Sequence, residues 1–166
     1  EAVNLCHNKN ILAKVIDSME QLKKIEEKFS LIVANHVLEH SSKPVDFVKQ
    51  LEFLLTNGGY AILSLPNTRS LGRKLFKNRW QGYSVPKHLI NYDKNALYKL
   101  FSKTNLEIIS HKTAGVYLTS LNLVFPKSKI VSELSPHLQH LTFAIPAFMM
   151  KDHGDEQTLV VKKTEL

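Results

Sequence analysis

The sequence predicts an α/β fold with a mostly parallel sheet, and three observations carry that prediction. Two almost uninterrupted apolar runs, FSLIVA at residues 29–34 and YAILSL at 60–65, read as strands buried on both faces. Between them lies a segment with apolar residues at helical spacing, opened by Pro44 and closed by Asn57-Gly58-Gly59. A second amphipathic helix and further β-rich segments follow, the alternation of an open sheet built from right-handed crossovers.

Taken in order, the first residues read as the inside of a helix, since Ala2, Val3, Leu5 and Cys6 form a stripe with no capping residue ahead. Ile11 to Ile16 is expected to be a short strand ending at Asp17, followed by a charged, weakly helical segment from Ser18 to Lys28. Phe29 to Ala34 is the first central strand. Pro44 suits a first helical turn, and Val45, Val48, Leu51 and Leu55 recur behind it, with Phe47 and Leu54 widening the stripe. The Asn-Gly-Gly turn tolerates the positive φ that ends a helix. Tyr60 to Leu65 is the next strand, and a long connection runs from Asn67 to Tyr92. Asp93 caps a helix carrying Leu97, Leu100 and Phe101. Leu106 to Lys112 reads as a strand, and Gln157 to Lys163 as a last one, inserted antiparallel. Residues 114–153 are apolar and proline-punctuated, an insertion that could close over a pocket or pack on the sheet.

With 166 residues, 43% of them hydrophobic, the chain can bury one domain-sized core. Cys6 is its only cysteine, which excludes an intrachain disulfide framework and fits a reducing, cytoplasmic setting. The apolar stretch Leu141 to Met150 is too short to span a bilayer and carries Pro146. The formal charge is +7, and Arg69, Arg73, Lys74, Lys77, Arg79 and Lys87 cluster around Phe76, Trp80 and Tyr83. Such a stretch suits an anionic or membrane-associated small molecule, and no nucleic-acid motif accompanies it.

The stretch FSLIVANHVLEHSSKPVDFVKQLEFLLTNGGYAILSLPN resembles the central motifs of class I S-adenosylmethionine-dependent methyltransferases, near their small-molecule O-methyltransferase branch. The segment SLGRKLFKNRWQGYSVPKHLINYDKNALYKLF continues the likeness, which runs from about Glu1 to Thr113 and takes in the final strand. It implies a Rossmann-like sheet, S-adenosylmethionine as cofactor, and methyl transfer to a small molecule, first of all to oxygen. Carried over residue by residue, it places Asp17, Ser18 and Met19 at the adenine and Asn35 and His36 at the cofactor-facing end of the next strand. His40 and His88 become candidate bases, because an imidazole suits proton removal from a hydroxyl. Trp80, Tyr83 and Arg69 fall on the substrate side.

Two departures stand out. Ser30 occupies a position where the family has aspartate, and no G-x-G loop occurs anywhere in the 166 residues. That loop brings the backbone against the carboxypropyl end of the cofactor, which glycine allows without steric cost. The first strand–helix units of the family's sheet are therefore expected upstream, roughly 60 to 90 residues. The chain by itself is expected to hold the cofactor weakly or not at all.

Rival readings come from other classes. His36-x-x-Glu39-His40 matches a zinc hydrolase pattern, which needs all three residues on one helical face, whereas Ser41 to Pro44 interrupt any helix there. A non-catalytic methyltransferase-fold scaffold is the other alternative. No metal ligands are assigned, and a divalent cation near Glu39 and His40 stays open.

Overall fold

In the computed structural model, which describes residues 1–115 and 152–164, four strands form one sheet in the order β1-β2-β4-β3. They are β1 (Phe29–Asn35), β2 (Leu55–Pro66), β3 (Leu106–Ala114) and β4 (Glu156–Lys163). β1 and β2 pair in parallel, with Leu31 opposite Tyr60 and Asn35 opposite Ser64. β4 enters antiparallel between β2 and β3, so the other three strands share one direction and the last opposes them. This is the arrangement the sequence predicts.

Among the described residues five helices accompany the sheet: α1 (Ala2–Asn8), α2 (Met19–Leu22), α3 (Pro44–Leu54), α4 (Leu71–Phe76) and α5 (Lys94–Phe101). α3 buries Phe47, Val48 and Leu51 in one cluster with Ala34, Leu63 and Val161 of the strands. α5 adds Leu97, Leu100 and Phe101 to it. Asp93 caps α5 as expected, its carboxylate accepting from the Ala96 amide at 2.8 Å. Asp93→Ala should therefore cost about 1 kcal/mol, read as a lower urea midpoint with an unchanged m-value.

Four expectations are corrected. Ile11 to Ile16 forms no strand: the segment is irregular, with Leu12 88% and Val15 70% exposed. Strand propensity is context-dependent, and this segment has no ladder partner among the described residues. β1 is not buried on both faces, since Leu31 is 53% and Val33 63% exposed. The α3 side covers Ile32 and Ala34, while no described residue covers the opposite face. The Asn57-Gly58-Gly59 segment lies inside β2, which starts directly at the end of α3, and Gly58 takes φ 72° where the register with β1 shifts. Finally, residues 67–92 are not a plain loop but hold α4 and two 3-10 turns, Lys77–Arg79 and Gln81–Tyr83. Residues 116–151 of the apolar insertion lie outside the described residues.

Candidate active site

The site grows from the carboxyl end of β1, where an open α/β sheet presents its ligands. His36 leaves the strand with φ 52°, an uncommon conformation for a residue with a side chain. Its amide donates to Ser64 O at 2.8 Å, and its Nδ1 donates to Glu39 Oε1 at 2.9 Å. Leu38 to His40 then form one 3-10 turn that buries Leu38 and Glu39 and leaves His40 exposed. The Glu39 carbonyl accepts from the Leu89 amide at 2.9 Å and the Ile90 amide at 3.2 Å, which ties the turn to the loop carrying His88. His40 and His88 consequently meet edge to face, ring centroids 4.9 Å apart. His40 Nδ1 donates to Lys87 O at 2.8 Å and His88 Nδ1 to Gly82 O at 2.7 Å. A carbonyl can only accept, so these contacts place the ring proton on Nδ1 and leave each Nε2 with its lone pair.

Beside this turn lies a cavity of about 550 Å³ lined by Asp17, Met19, Leu22, Val37, His40 and Phe47, among others. The lining combines apolar contact with a free carboxylate. Met19 and Leu22 pack against the core from one side, Phe47 is buried in it, and these supply apolar contact. Asp17 is exposed and its carboxylate makes no hydrogen bond to a described residue, so it is available to an exocyclic amine. Ser18 lines the cavity too, but its hydroxyl accepts from the Gln21 amide and caps α2.

The structure thus brings Asp17, Ser18, Met19 and His40 to one cavity and sets His88 against His40. Asn35 and His36 sit at the strand end without lining that cavity. Trp80 and Tyr83 wall a second cavity of about 380 Å³, their rings 5.3 Å apart. Tyr83 Oη accepts from Arg73 Nε at 2.9 Å. Arg69 lines neither cavity: its amide donates to Asn67 Oδ1, and its carbonyl accepts from His153 Nδ1 at 3.2 Å. The H-x-x-E-H residues share no helical face, since His36 directly follows a strand and Glu39 and His40 lie in a 3-10 turn. Sequence reasoning missed Phe47 and the Ser41–Lys43 segment as cavity walls, although their position between the V-L-E-H turn and α3 points there.

Glu39 also reaches the base of the site. Tyr92 is buried, its hydroxyl has no partner among the described residues, and its pKa is pushed up to about 12, by burial first and then by the Glu39 charge. The neutral phenol is the form the fold favours. Its contribution is complete below the unfolded value near 10 and is lost as pH rises through about 12. Stability should accordingly fall between pH 10 and 12, and Tyr92→Phe should flatten that slope at little cost at pH 7. Denaturant midpoints of both proteins across that range check it.

Comparisons with known proteins bear on the family and the fold. The family model of the methyltransferase domain matches residues 2–111. No curated protein sequence matches the chain. A SAM-dependent methyltransferase from Thermotoga maritima is similar in structure at TM-score 0.61 and 14% identity, over 98% of this chain and 69% of that one. One from Archaeoglobus fulgidus gives 0.58 and 17%, over 97% and 71%. The [4+2]-cyclase SpnF gives 0.57 and 15%, over 98% of this chain, which spans only 61% of SpnF. With the family model covering β1 through most of β3, the chain belongs to the class I S-adenosylmethionine-dependent methyltransferase family, whose cofactor is S-adenosylmethionine.

Proposed function

We propose that this chain carries an adenine-binding and acceptor-facing region of a methyltransferase that acts on a small molecule, with oxygen as the methylated atom. The observation that carries the reading is the cavity lined by Asp17, Met19 and Phe47 with His40 on its wall. The cofactor supplies an activated methyl group on a sulfonium centre. Asp17 would accept from the adenine amine, Met19 and Phe47 would supply apolar contact to the ring, and the turn Leu38–His40 stands beside them. The protein's main contribution is alignment of acceptor and methyl group. A hydroxyl acceptor must lose its proton, and His40 and His88 each hold an Nε2 lone pair on that side. Trp80, Tyr83 and the exposed cations from Arg69 to Lys87 favour an aromatic or anionic acceptor, including one held at a membrane surface. Among the described residues no helix is long and apolar enough to cross a membrane.

Calorimetric titration with S-adenosylhomocysteine tests the reading. Asp17→Ala and Met19→Ala should each weaken binding about 10-fold, the loss of about 1.4 kcal/mol; equal affinity in both variants and the parent would contradict it. A second reading, a binding domain without methyl transfer, draws on the absence of a G-x-G loop from these residues and on the [4+2]-cyclase activity of the SpnF structure. Transfer of label from methyl-labelled cofactor to any acceptor excludes it.

A further inference from the structure

The side chains around the V-L-E-H turn carry more donors than the methyl transfer uses. Glu39 is 1% exposed, yet the only hydrogen bond to its carboxylate among the described residues is the one from His36 to Oε1, and Oε2 has no partner. Burying a carboxylate half-satisfied is costly unless another group takes up the charge. The imidazoles of His40 and His88 stand beside it. Glu39, His40 and His88 each bring one ligand atom within 4.8 Å of the others, and His88 Nε2 is 3.9 Å from Glu39 Oε1.

The orientation of the rings identifies what these atoms could hold. Both Nδ1 atoms are committed to backbone carbonyls, Lys87 O and Gly82 O, so both Nε2 lone pairs are presented and neither ring can easily flip. A backbone carbonyl on one ring nitrogen with the other left as donor is the outer support that metal-bound histidines have. Two imidazoles and one carboxylate form a donor set of catalytic zinc sites, which keep a further position open. Ligands on a tetrahedral zinc with bonds of about 2.0–2.2 Å lie about 3.4 Å apart. The 3.9 Å contact would therefore have to close by about 0.5 Å, and the widest of the three separations, up to 4.8 Å, by about 1.4 Å, which a shift of the exposed His40 side chain can supply.

We propose that Glu39, His40 and His88 form a binding site for a divalent transition-metal ion, zinc by preference. The ligand set differs from the one the local H-x-x-E-H pattern suggests: His36 supports Glu39 from outside, and the third ligand comes from the loop 48 residues further on. With an ion bound, His40 and His88 would act as its ligands and not as bases, so the base role belongs to the metal-free protein, and the open position would suit an oxygen donor such as a hydroxyl or carboxylate. The site goes beyond the proposed methyl transfer and does not depend on it, because metal affinity is measured with the ion alone.

The test uses chelator-treated protein, titrated with Co²⁺ while the visible ligand-field bands are followed, then with Zn²⁺ by calorimetry. One equivalent should bind. His88→Ala and His40→Ala should each weaken binding by about 100-fold or more, beyond the 10–100-fold typical of outer-shell losses. Glu39→Gln, which keeps the side-chain volume, should weaken it similarly, and His36→Ala should cost less than His88→Ala. Far-UV circular dichroism confirms that each variant is folded, and exposed His40 gives a readout even if the others are not. Absence of stoichiometric binding up to millimolar ion would overturn the proposal. So would a His36→Ala loss that matches or exceeds that of His88→Ala.

Discussion

Trp80→Ala should destabilise the domain by about 3–5 kcal/mol, the range for removing a fully buried large aromatic. The indole is 1% exposed and meets Tyr83 edge to face. The loop is wound tightly around it, since a Cβ at Gly82 would sit 2.3 Å from two carbons of the indole's six-membered ring. The damage should not stay local. Gly82 supplies the carbonyl that orients His88, so a collapsed loop loses that histidine's position as well. Urea unfolding followed by circular dichroism should show a midpoint far below the parent's, with Trp80→Phe in between. A midpoint within about 1 M of the parent's, at a typical urea m-value of 1–3 kcal/mol/M, would mean that the indole is not the anchor of this loop.

Ser41→Trp should cost the largest share of cofactor affinity. Ser41 is half-buried on the wall of the 550 Å³ cavity, between the V-L-E-H turn and α3. An indole placed there competes for the space between Met19 and Phe47. If about 120 Å² of purine surface goes unburied, the loss at 25 cal/mol per Å² is about 3 kcal/mol. That corresponds to roughly 100-fold weaker S-adenosylhomocysteine binding. The melting temperature should move little, because the new ring points into a cavity and displaces no core side chain. Unchanged affinity in a folded variant would remove the cavity from the cofactor site.

Much of this architecture is legible in the sequence because its signals are local and periodic. Pro44 followed by an apolar stripe gives α3, Asp93 gives the cap of α5, and two apolar runs give β1 and β2. The antiparallel last strand follows from the resemblance alone. What fails is what depends on neighbours. Ile11 to Ile16 has strand composition without a ladder to join, and β1 has a buried-strand composition with one face uncovered by described residues. In the site, Asp17, Met19 and His40 are legible from motif position, and the structure brings them to one cavity. The pairing of His40 with His88 is not legible, because it rests on the Leu89 and Ile90 amides reaching the Glu39 carbonyl across some 50 residues of chain. Arg69 stands in the basic stretch with the other candidates, yet its backbone is pinned to Asn67 and His153 and it lines neither cavity. Charge clustering in sequence carries no information about which cation faces a pocket.

The most direct test of the central claim is an amide chemical-shift map of the ¹⁵N-labelled protein titrated with S-adenosylhomocysteine to millimolar concentration. The account predicts shifts concentrated at Asp17 to Leu22 and at Val37 to Lys43, saturating together, with Ser41→Trp abolishing them. Shifts confined to the Asn78–Val85 cavity, with Asp17 to Leu22 and Val37 to Lys43 unmoved, would contradict it.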